Sequence, residues 1–213
     1  SINQDGKHTI VYRGVDKVGN LEKDQSFEVV IDNTPPKVYI PNSVSFVAKD
    51  DQKHLSAKSK ISLMASDELS GVKRIQYQID GGTVQINYKA EDNLGNTTKV
   101  NTLKVMVDGK APTVEIKPDH ELVVMDGKNY SKKNNNFNVT ASDDGSGVVR
   151  ILIKATGDEE FREYTGPVSF TSSGEKTLAA KAIDRVGNES QLVKLSFVID
   201  DNAPKTKLTP VTD

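Results

Sequence analysis

Apolar residues alternate with polar ones in short runs along the whole chain. Three times, two such runs flank a polar stretch that carries a glycine. The pairs are Ile10, Tyr12 and Gly14 with Phe27, Val29 and Ile31; Ile86, Tyr88 and Ala90 with Leu103, Val105 and Val107; and Leu178, Ala180 and Ala182 with Leu195, Phe197 and Ile199. A period of two places alternate side chains on one face of a strand, so each pair predicts an antiparallel hairpin with one buried face.

Further strands are predicted upstream of the second and third hairpins. They cover residues 38–40, 60–64, 72–79, 114–116, 136–140 and 148–155. No window of a dozen residues shows helical spacing, and turns rich in Gly, Asn, Asp and Ser separate the strands. The pattern predicts an all-β fold of antiparallel sandwiches, in which Val139, Leu178, Leu195, Phe197 and Ile199 face one core.

The phrase Asp-x-x-Gly-Asn occurs three times, once between the strands of each predicted hairpin. Its members are Asp16, Gly19 and Asn20; Asp92, Gly95 and Asn96; and Asp184, Gly187 and Asn188. A proline follows each Asn by sixteen residues, and an Asp precedes each proline by four: Asp32 and Pro36, Asp108 and Pro112, Asp200 and Pro204. One structural unit is therefore used repeatedly along the chain.

Local turn chemistry accounts for the repeated phrase. The Asp side chain accepts hydrogen bonds from nearby backbone N–H groups, Gly supplies a positive φ, and Asn tolerates the left-handed region. The proline that ends each Asp-x-x-x-Pro phrase stiffens the link between units. We interpret the phrase residues as structural turns, and a ligand-contacting role is the open alternative.

The repeats predict the domain boundaries. The octapeptide Ala65 to Val72 returns as Ala141 to Val148, shifted by 76 residues. Residues 1–34 are the C-terminal part of one repeat, 35–110 form a second, 111–202 form a complete third, and 203–213 are a linker or the start of another.

The middle repeat is sixteen residues shorter than the third, and the gap falls near residues 80–82. The third repeat carries there a turn, Tyr164, Pro167 and a strand to Phe170. A small sandwich that loses an internal strand exposes its core and a strand edge. We therefore expect the natural chain to carry residues between Ile79 and Thr83 that this sequence does not show. The alternative is a natural deletion closed by a tight turn.

As a set, the repeated phrases resemble the bacterial immunoglobulin-like repeats of surface and secreted proteins. The phrases are Ser-Gly-Val, Tyr-x-Gly-Pro, Gly-x-x-Thr-Leu, Ala-x-Asp-x-x-Gly-Asn and Asp-x-x-x-Pro. They are most similar to the type named after a spirochaete outer-membrane protein. The resemblance covers 110–204 well, 36–110 with the gap, and 1–35 only over the last third of a repeat. It implies tandem stalk or adhesion modules, or accessory domains of large secreted enzymes.

Composition narrows the function. The formal net charge is −2 with both signs interspersed, which disfavours nucleic-acid binding, and the apolar runs are too short for membrane insertion. Cys is absent, and the three histidines, His8, His54 and His120, fall at different places in the repeat. No Gly-x-Ser-x-Gly phrase occurs. The sequence therefore predicts no enzymatic activity.

Calcium is the one cofactor that the sequence raises. Asp143 and Asp144, and Asp200 and Asp201, are paired carboxylates of the kind that a hard cation prefers. At the second Asp-x-x-x-Pro phrase, however, Lys110 stands where an oxygen ligand would be needed. Solvated acidic turns without a cofactor are thus the prediction, and a calcium-stiffened adhesion rod stays open.

The resemblance and the exclusions together predict a non-catalytic, structural or adhesive repeat region of a bacterial cell-surface or secreted protein. We expect an extracellular location, with neighbouring repeats and a protein or glycan ligand as partners. A carbohydrate-binding or spacer module of a secreted enzyme is the alternative. The absence of Trp, and Tyr and Phe residues that are expected to alternate into the core, count against carbohydrate binding.

Overall fold

The computed structural model describes residues 2–80 and 84–208 of the 213-residue chain. The chain divides into two compact units, Ser1–Val107 (unit 1) and Asp108–Asp213 (unit 2). Every regular element among the described residues is a β-strand. The predicted fold class is confirmed: the chain is an all-β protein of Ig-like antiparallel sandwiches. The described residues contain no helix of the length and apolarity that a membrane span requires.

The strands follow one another in short steps along the chain. The first nine are β1 (Gly6–Tyr12), β2 (Gln25–Ile31), β3 (Lys37–Tyr39), β4 (Val47–Lys49), β5 (Gln52–Ser56), β6 (Met64–Ser66), β7 (Val72–Asp80), β8 (Val84–Asp92) and β9 (Asn101–Asp108). The others are β10 (Thr113–Pro118), β11 (Val123–Met125), β12 (Lys128–Ser131), β13 (Asn136–Ser142), β14 (Val148–Ala155), β15 (Arg162–Glu163), β16 (Val168–Ser169), β17 (Gly174–Asp184) and β18 (Val193–Ile199).

Unit 2 is a sandwich of two sheets. One has the strand order β10-β13-β16, and the other has the order β11-β12-β18-β17-β14-β15. Among the described residues of this unit, neighbouring strands pair antiparallel except for the short parallel contact between β12 and β18. The strand that the third repeat adds after its Tyr-x-Gly-Pro phrase is β16, and it closes the edge of the smaller sheet.

Three phenylalanines occupy the centre of unit 2. Phe137 stacks on Phe197 with ring centroids 4.4 Å apart, and Phe170 meets both rings edge-on. Four of the five residues predicted to face this core are buried, namely Val139, Leu178, Phe197 and Ile199, and Leu195 is half-buried against it. Strict alternation on β17 and β18 thus identified the inner face correctly.

Unit 1 holds the first hairpin, β1-β2, and a smaller version of the same sandwich. Its sheets have the orders β3-β6 and β4-β5-β9-β8-β7. Its core cluster is built on Leu55, Ile86, Leu103 and Val105. Within the described residues of this unit no strand corresponds to β15 or β16 of unit 2.

Three expectations about unit 1 need correction. The strand predicted at 60–64 begins only at Met64, because in unit 2 the equivalent residues are held by β16. Val107 is exposed although Leu103 and Val105 are buried, since it lies near the end of β9. Tyr12 and Phe27 are exposed and contact each other edge-on, because within the described residues β1 and β2 form a sheet of their own.

The predicted break near residues 80–82 falls largely on residues 81–83, which lie outside the described residues. On either side of them β7 and β8 pair in register up to Asp80 and Gln85. The expectation of additional natural residues there stays a prediction. The repeat boundaries at 34, 110 and 202 also stay predictions, and the division between the two units falls at Val107 and Asp108.

Candidate functional site

The three Asp-x-x-Gly-Asn phrases adopt the same turn. In each copy one carboxylate oxygen of the Asp accepts the backbone N–H of the Asn, at 2.8 Å for Asp16, 2.8 Å for Asp92 and 2.7 Å for Asp184. The other oxygen accepts the Asn side-chain amide at 2.7, 2.8 and 2.7 Å in the same order. The backbone N–H of the Asp also donates to the backbone oxygen of the Asn in each copy, so three hydrogen bonds between the first and last residues of the phrase close each turn.

The glycine and the asparagine have different functions in this turn. Gly19, Gly95 and Gly187 have φ angles of 92°, 96° and 90°, a region that glycine enters without strain. The asparagines are not among the residues with positive φ, so the left-handed conformation expected for them is wrong. Their side chains act instead as donors to the Asp carboxylate.

In unit 1 the turn carboxylate belongs to a cluster of three. Asp32, Asp67 and Asp92 each place one carboxylate oxygen within 4.8 Å of the other two. Asn96 Nδ2, which donates to Asp92, also donates to the backbone oxygen of Asp32 at 2.9 Å. The Ser70 backbone N–H is shared between Asp67 Oδ1 at 3.0 Å and Asp32 Oδ2 at 3.2 Å. Three segments that are distant in sequence are thereby tied together.

Unit 2 contains the equivalent cluster. Asp108, Asp143 and Asp184 again bring one carboxylate oxygen each within 4.8 Å of the others. The side chain of Asn188 donates to Asp184 and to the backbone oxygen of Asp108, and Ser146 N–H donates to Asp108 Oδ2 at 2.7 Å. The two clusters use the same three places in the repeat: the Asp before the proline, the Asp of Ala-Ser-Asp, and the turn Asp.

A buried hydroxyl group lies beside the second cluster. Ser146 is fully buried, and its Oγ has no hydrogen-bond partner among the described residues. Its own N–H is bonded to Asp108, and the hydroxyl of the equivalent Ser70 lies 3.5 Å from Asp67 Oδ1. In unit 2 the serine at this place in the repeat therefore has a buried hydroxyl without a partner among the described residues, while its backbone N–H is tied to the cluster.

Hydrogen bonding favours the charged form of Asp92 in the first cluster. Burial raises the pKa of Asp92, but hydrogen bonds from the Asn96 side chain and from backbone N–H groups of the turn outweigh it, so this pKa lies below its ordinary value of 3.8. The hydrogen-bond partners of Asp67 and Asp92 are neutral N–H and O–H groups. Carboxylates held this close repel one another unless a cation or a proton joins them.

Sequence reasoning found this site only in part. Of the four calcium candidates, Asp143 lies in a cluster; Asp144 is exposed beside it. Asp200 and Asp201 are also exposed, and Asp201 forms an ion pair with Lys133. Lys110 contributes its backbone N–H to Asp108, and separate segments supply the other two carboxylates, so the cluster does not depend on the residue at 110; the prediction about calcium itself stays a prediction.

Five cluster members were not among the calcium candidates, although two of them had been singled out as turn residues: Asp32, Asp67, Asp108, and the turn residues Asp92 and Asp184. The signal that could have found them was in the sequence. Each of the phrases Asp-x-x-x-Pro, Ala-Ser-Asp and Asp-x-x-Gly-Asn carries an Asp that returns at the same place in the repeat. Three such Asp residues in one repeat are more than isolated turns require.

The histidines do not share a site. His8 Nε2 contacts the backbone oxygen of Gln4, and His54 is buried in β5. His120 is held by Asn135, whose amide also contacts Ser131. These are three different environments, as their positions in the repeat suggested.

No protein-family model matches the chain, and no curated protein matches it. Among solved structures it is similar to the fibronectin(III)-like modules of CbhA from Clostridium thermocellum, at 14% identity and a TM-score of 0.40, over 81% of this chain and 100% of that one. It is also similar to the D00-D0 domain of Intimin, at 12% identity and a TM-score of 0.31, over 78% and 100%. Similarities this low carry no functional argument. The Ig-like fold rests on the sheets of this chain, and the narrower resemblance to the spirochaete type stays a prediction.

Proposed function

We propose that this chain is a non-catalytic Ig-like repeat region of a bacterial cell-surface or secreted protein. It acts there as a stalk, or it presents weak binding sites several times over. The partners would be neighbouring repeats and a protein or glycan ligand outside the cell.

One observation carries this proposal: the repeated polar residues bind their own fold. The Asp and Asn of each phrase bond to each other, and in both units the Asn amide reaches a further backbone oxygen, that of Asp32 or of Asp108. Residues that a catalytic site would direct toward a substrate are here committed to turns and cross-ties. In a stalk, hydrogen bonds that join distant segments of one unit resist the pulling force that would unfold it.

Stretching the chain between its ends in an optical trap tests the stalk function. We expect discrete unfolding steps, one for each unit, and recovery of both steps after relaxation. Asn188→Ala removes a cross-tie and should lower the unfolding force of unit 2. Asn20→Ala, in the exposed first turn, is the matched control and should leave both steps unchanged. Gradual extension without steps would contradict the stalk function.

The two carboxylate clusters favour a second candidate, a calcium-stiffened adhesion rod. Each cluster offers three carboxylates, so the donors are all oxygen atoms as calcium prefers. Asp67 and Asp143 are half-buried, which leaves one side of each cluster within reach of solvent and its ions. A bound cation would offset the repulsion among the carboxylates.

Thermal melting in calcium and in a chelator decides between the two candidates. A cation that binds only the folded state raises its stability, so the rod requires a calcium-dependent rise in Tm. Asp143→Asn should remove that rise in unit 2, and the exposed neighbour Asp144→Asn should keep it. Melting curves that coincide in calcium and chelator would leave the plain stalk as the function.

Carbohydrate binding gains one supporting observation. Contrary to expectation, Tyr12, Tyr39 and Tyr77 of unit 1 are exposed, as is Phe27. Of these rings, Tyr12 and Phe27 contact each other edge-on. A glycan array probed with the whole chain tests this alternative, and loss of a signal in Tyr12→Ala would support it.

A further inference from the structure

The hairpin β4-β5 of unit 1 and the hairpin β11-β12 of unit 2 are counterparts in the repeat. Their strands pair in the same register, 76 residues apart. Both hairpins turn through two residues with positive φ, which are Asp50 and Asp51 in unit 1 and Asp126 and Gly127 in unit 2. Two successive positive φ angles are typical of the type I′ turn that closes tight hairpins. The same element is therefore built at the same place in both units.

Each hairpin lies beside the last strand of its own unit, since β5 neighbours β9 and β12 neighbours β18. In unit 2 this pairing is short and reaches only Val198 and Ile199 of β18. The same edge of β18 has no strand partner over residues 193–197 within the described part of the unit. There the side-chain amide of Asn129 donates to the backbone oxygen of Ser196 at 3.2 Å, so this edge faces the hairpin.

A groove lies between the hairpin and the last strand in both units. Its volume is about 570 Å³ in unit 1 and about 560 Å³ in unit 2. In unit 1 the groove is lined by residues 51–53 and 102–106, and all their counterparts, 127–129 and 194–198, line the groove of unit 2. The groove of unit 2 exists together with β15 and β16, so it does not depend on the length difference between the repeats.

Lysines outnumber carboxylates in the groove of unit 1. Lys53 and Lys104 line it together with one acidic residue, Asp51. Lys104 is exposed on the outer face of β9, because its neighbours Leu103 and Val105 are buried in the core. It has no carboxylate partner among the residues that the structure describes. Its charge is therefore available to a ligand.

The groove of unit 2 has the same excess of lysines at different positions. Lys128, Lys176 and Lys194 line it together with Glu175. Lys194, like Lys104, is exposed on the last strand and has no carboxylate partner in the described part of the chain. Lys128 pairs with Glu175 at 3.6 Å, but both side chains are more than half exposed, so this ion pair is weak. Because the whole chain carries a formal charge of −2, the two basic grooves are a local feature.

Uncharged polar side chains lie beside these lysines. Gln52 and Thr102 line the groove of unit 1, and Asn129 and Thr177 line that of unit 2. Amide and hydroxyl groups exchange hydrogen bonds with sugar hydroxyls, and ammonium groups bind carboxylates and sulfates. Phe197, the aromatic member of the two linings, is buried, so the lysines rather than ring stacking must supply the attraction.

We propose that the two grooves are equivalent binding sites for an acidic polysaccharide, a sugar chain that carries carboxylate or sulfate groups. This inference rests on the proposed function, because it names the class of glycan that the repeats bind outside the cell. The lysines contact the acidic groups of the sugar chain, and the amide and hydroxyl side chains contact its hydroxyl groups. With two or three lysines in each groove, a single site is weak, and each chain offers two sites.

Isothermal titration calorimetry of the full chain tests the proposal with three probes. They are a heparin-derived octasaccharide, which is sulfated, an oligogalacturonate, which is carboxylated, and a neutral dextran oligomer. We expect saturable binding of an acidic probe at two sites per chain and no binding of dextran. Affinity should fall by about tenfold or more between about 0.05 and 0.3 M salt, because salt screens exposed charges. The acidic probe that binds more tightly identifies the preferred acidic group.

Charge reversals in the chain assign the two sites. Lys104→Glu should remove the site in unit 1 and Lys194→Glu the site in unit 2, so each variant should bind one acidic oligosaccharide and the double variant none. Lys58→Glu and Lys205→Glu, at exposed positions outside both grooves, are the matched controls and should keep two sites. Circular dichroism checks that each variant is folded, and Lys104→Arg should keep binding.

Three results would overturn the proposal. One is the absence of saturable binding for both acidic probes. Another is binding that survives in the double variant. The third is equal competition by single-stranded DNA of the same charge, which would show a general attraction of polyanions. None of these results alters the unfolding steps of the chain under force, so failure of this inference and failure of the stalk function are distinguishable.

Discussion

Phe197 is the residue whose removal tests the core of unit 2 most directly. It is 3% exposed on β18, it stacks on Phe137 at 4.4 Å, and Phe170 meets it edge-on at 5.3 Å. Phe197→Ala deletes the ring that joins the other two. Because both neighbours are held by strand pairing, on β13 and next to β16, the cavity has little freedom to collapse.

The cost can be worked out from these contacts. A buried Phe→Ala change costs about 3 to 5 kcal/mol, and each lost aromatic pair accounts for about 0.5 to 1.5 kcal/mol beyond area burial. With two such pairs broken, we expect about 4 to 5 kcal/mol. A urea dependence near 2 kcal/mol per molar converts this into a midpoint that falls by about 2 M. Phe197→Leu, which keeps more of the volume, should cost less and reports the trend if the Ala variant fails to fold.

The assay is urea unfolding followed by amide NMR signals, which are assigned separately to each unit. Unit 2 signals should shift to lower urea while those of unit 1 keep their midpoint. Phe27→Ala, at a residue 51% exposed on the first hairpin, should change stability by less than about 1 kcal/mol. A unit 2 midpoint in Phe197→Ala within about 0.5 M of the original would mean that this ring does not hold the core, and the reasoning would fail.

Three further predictions follow from the turns and the core. The folded pKa of Asp92 lies below 3.8, so its ionised form stabilises the fold above that value, and this stability is lost as the pH falls from 3.8 through the folded pKa. Asp92→Asn should therefore destabilise unit 1 at neutral pH. The urea midpoints of the variant and the original chain should converge below pH 3.8. Gly187→Ala, at φ 90°, should cost about 1 to 2 kcal/mol in urea, while Gly166→Ala, at a position without positive φ or close neighbours, should be near neutral. Tyr164→Phe leaves the Val139 N–H without its acceptor and should cost about 1 to 3 kcal/mol; an unchanged midpoint would show that water replaces the hydroxyl.

The strands and the turns were predictable because their causes are local. Alternation places Leu178 and Phe197 on the inner face without knowledge of what covers them. A Gly with positive φ after an Asp is enough to predict a tight turn, and all three copies form it. The role of the asparagine was predicted wrongly. An Asn that adopts a left-handed backbone and an Asn whose side chain bonds to the Asp carboxylate leave the same sequence pattern, so the sequence does not separate the two.

The exposed residues of unit 1 could not be read from the same pattern. Tyr77 and Tyr12 alternate as regularly as the buried positions of unit 2, yet both are exposed. Alternation shows which side chains share a face, but burial depends on a second sheet or strand above that face. Over Tyr12 the first hairpin has no such sheet, and over Tyr77 the counterpart of the segment that covers Ile153 is not found among the described residues.

By itself, the sequence determined the strands of the three hairpins and the chemistry of their turns, since each depends on residues close together in the chain. The tertiary structure decided the carboxylate clusters. Asp108, Asp143 and Asp184 lie tens of residues apart, at the end of β9, directly after β13 and at the end of β17, and they meet only in the folded chain. Long-range convergence of this kind depends on sheet pairing, which no local period encodes.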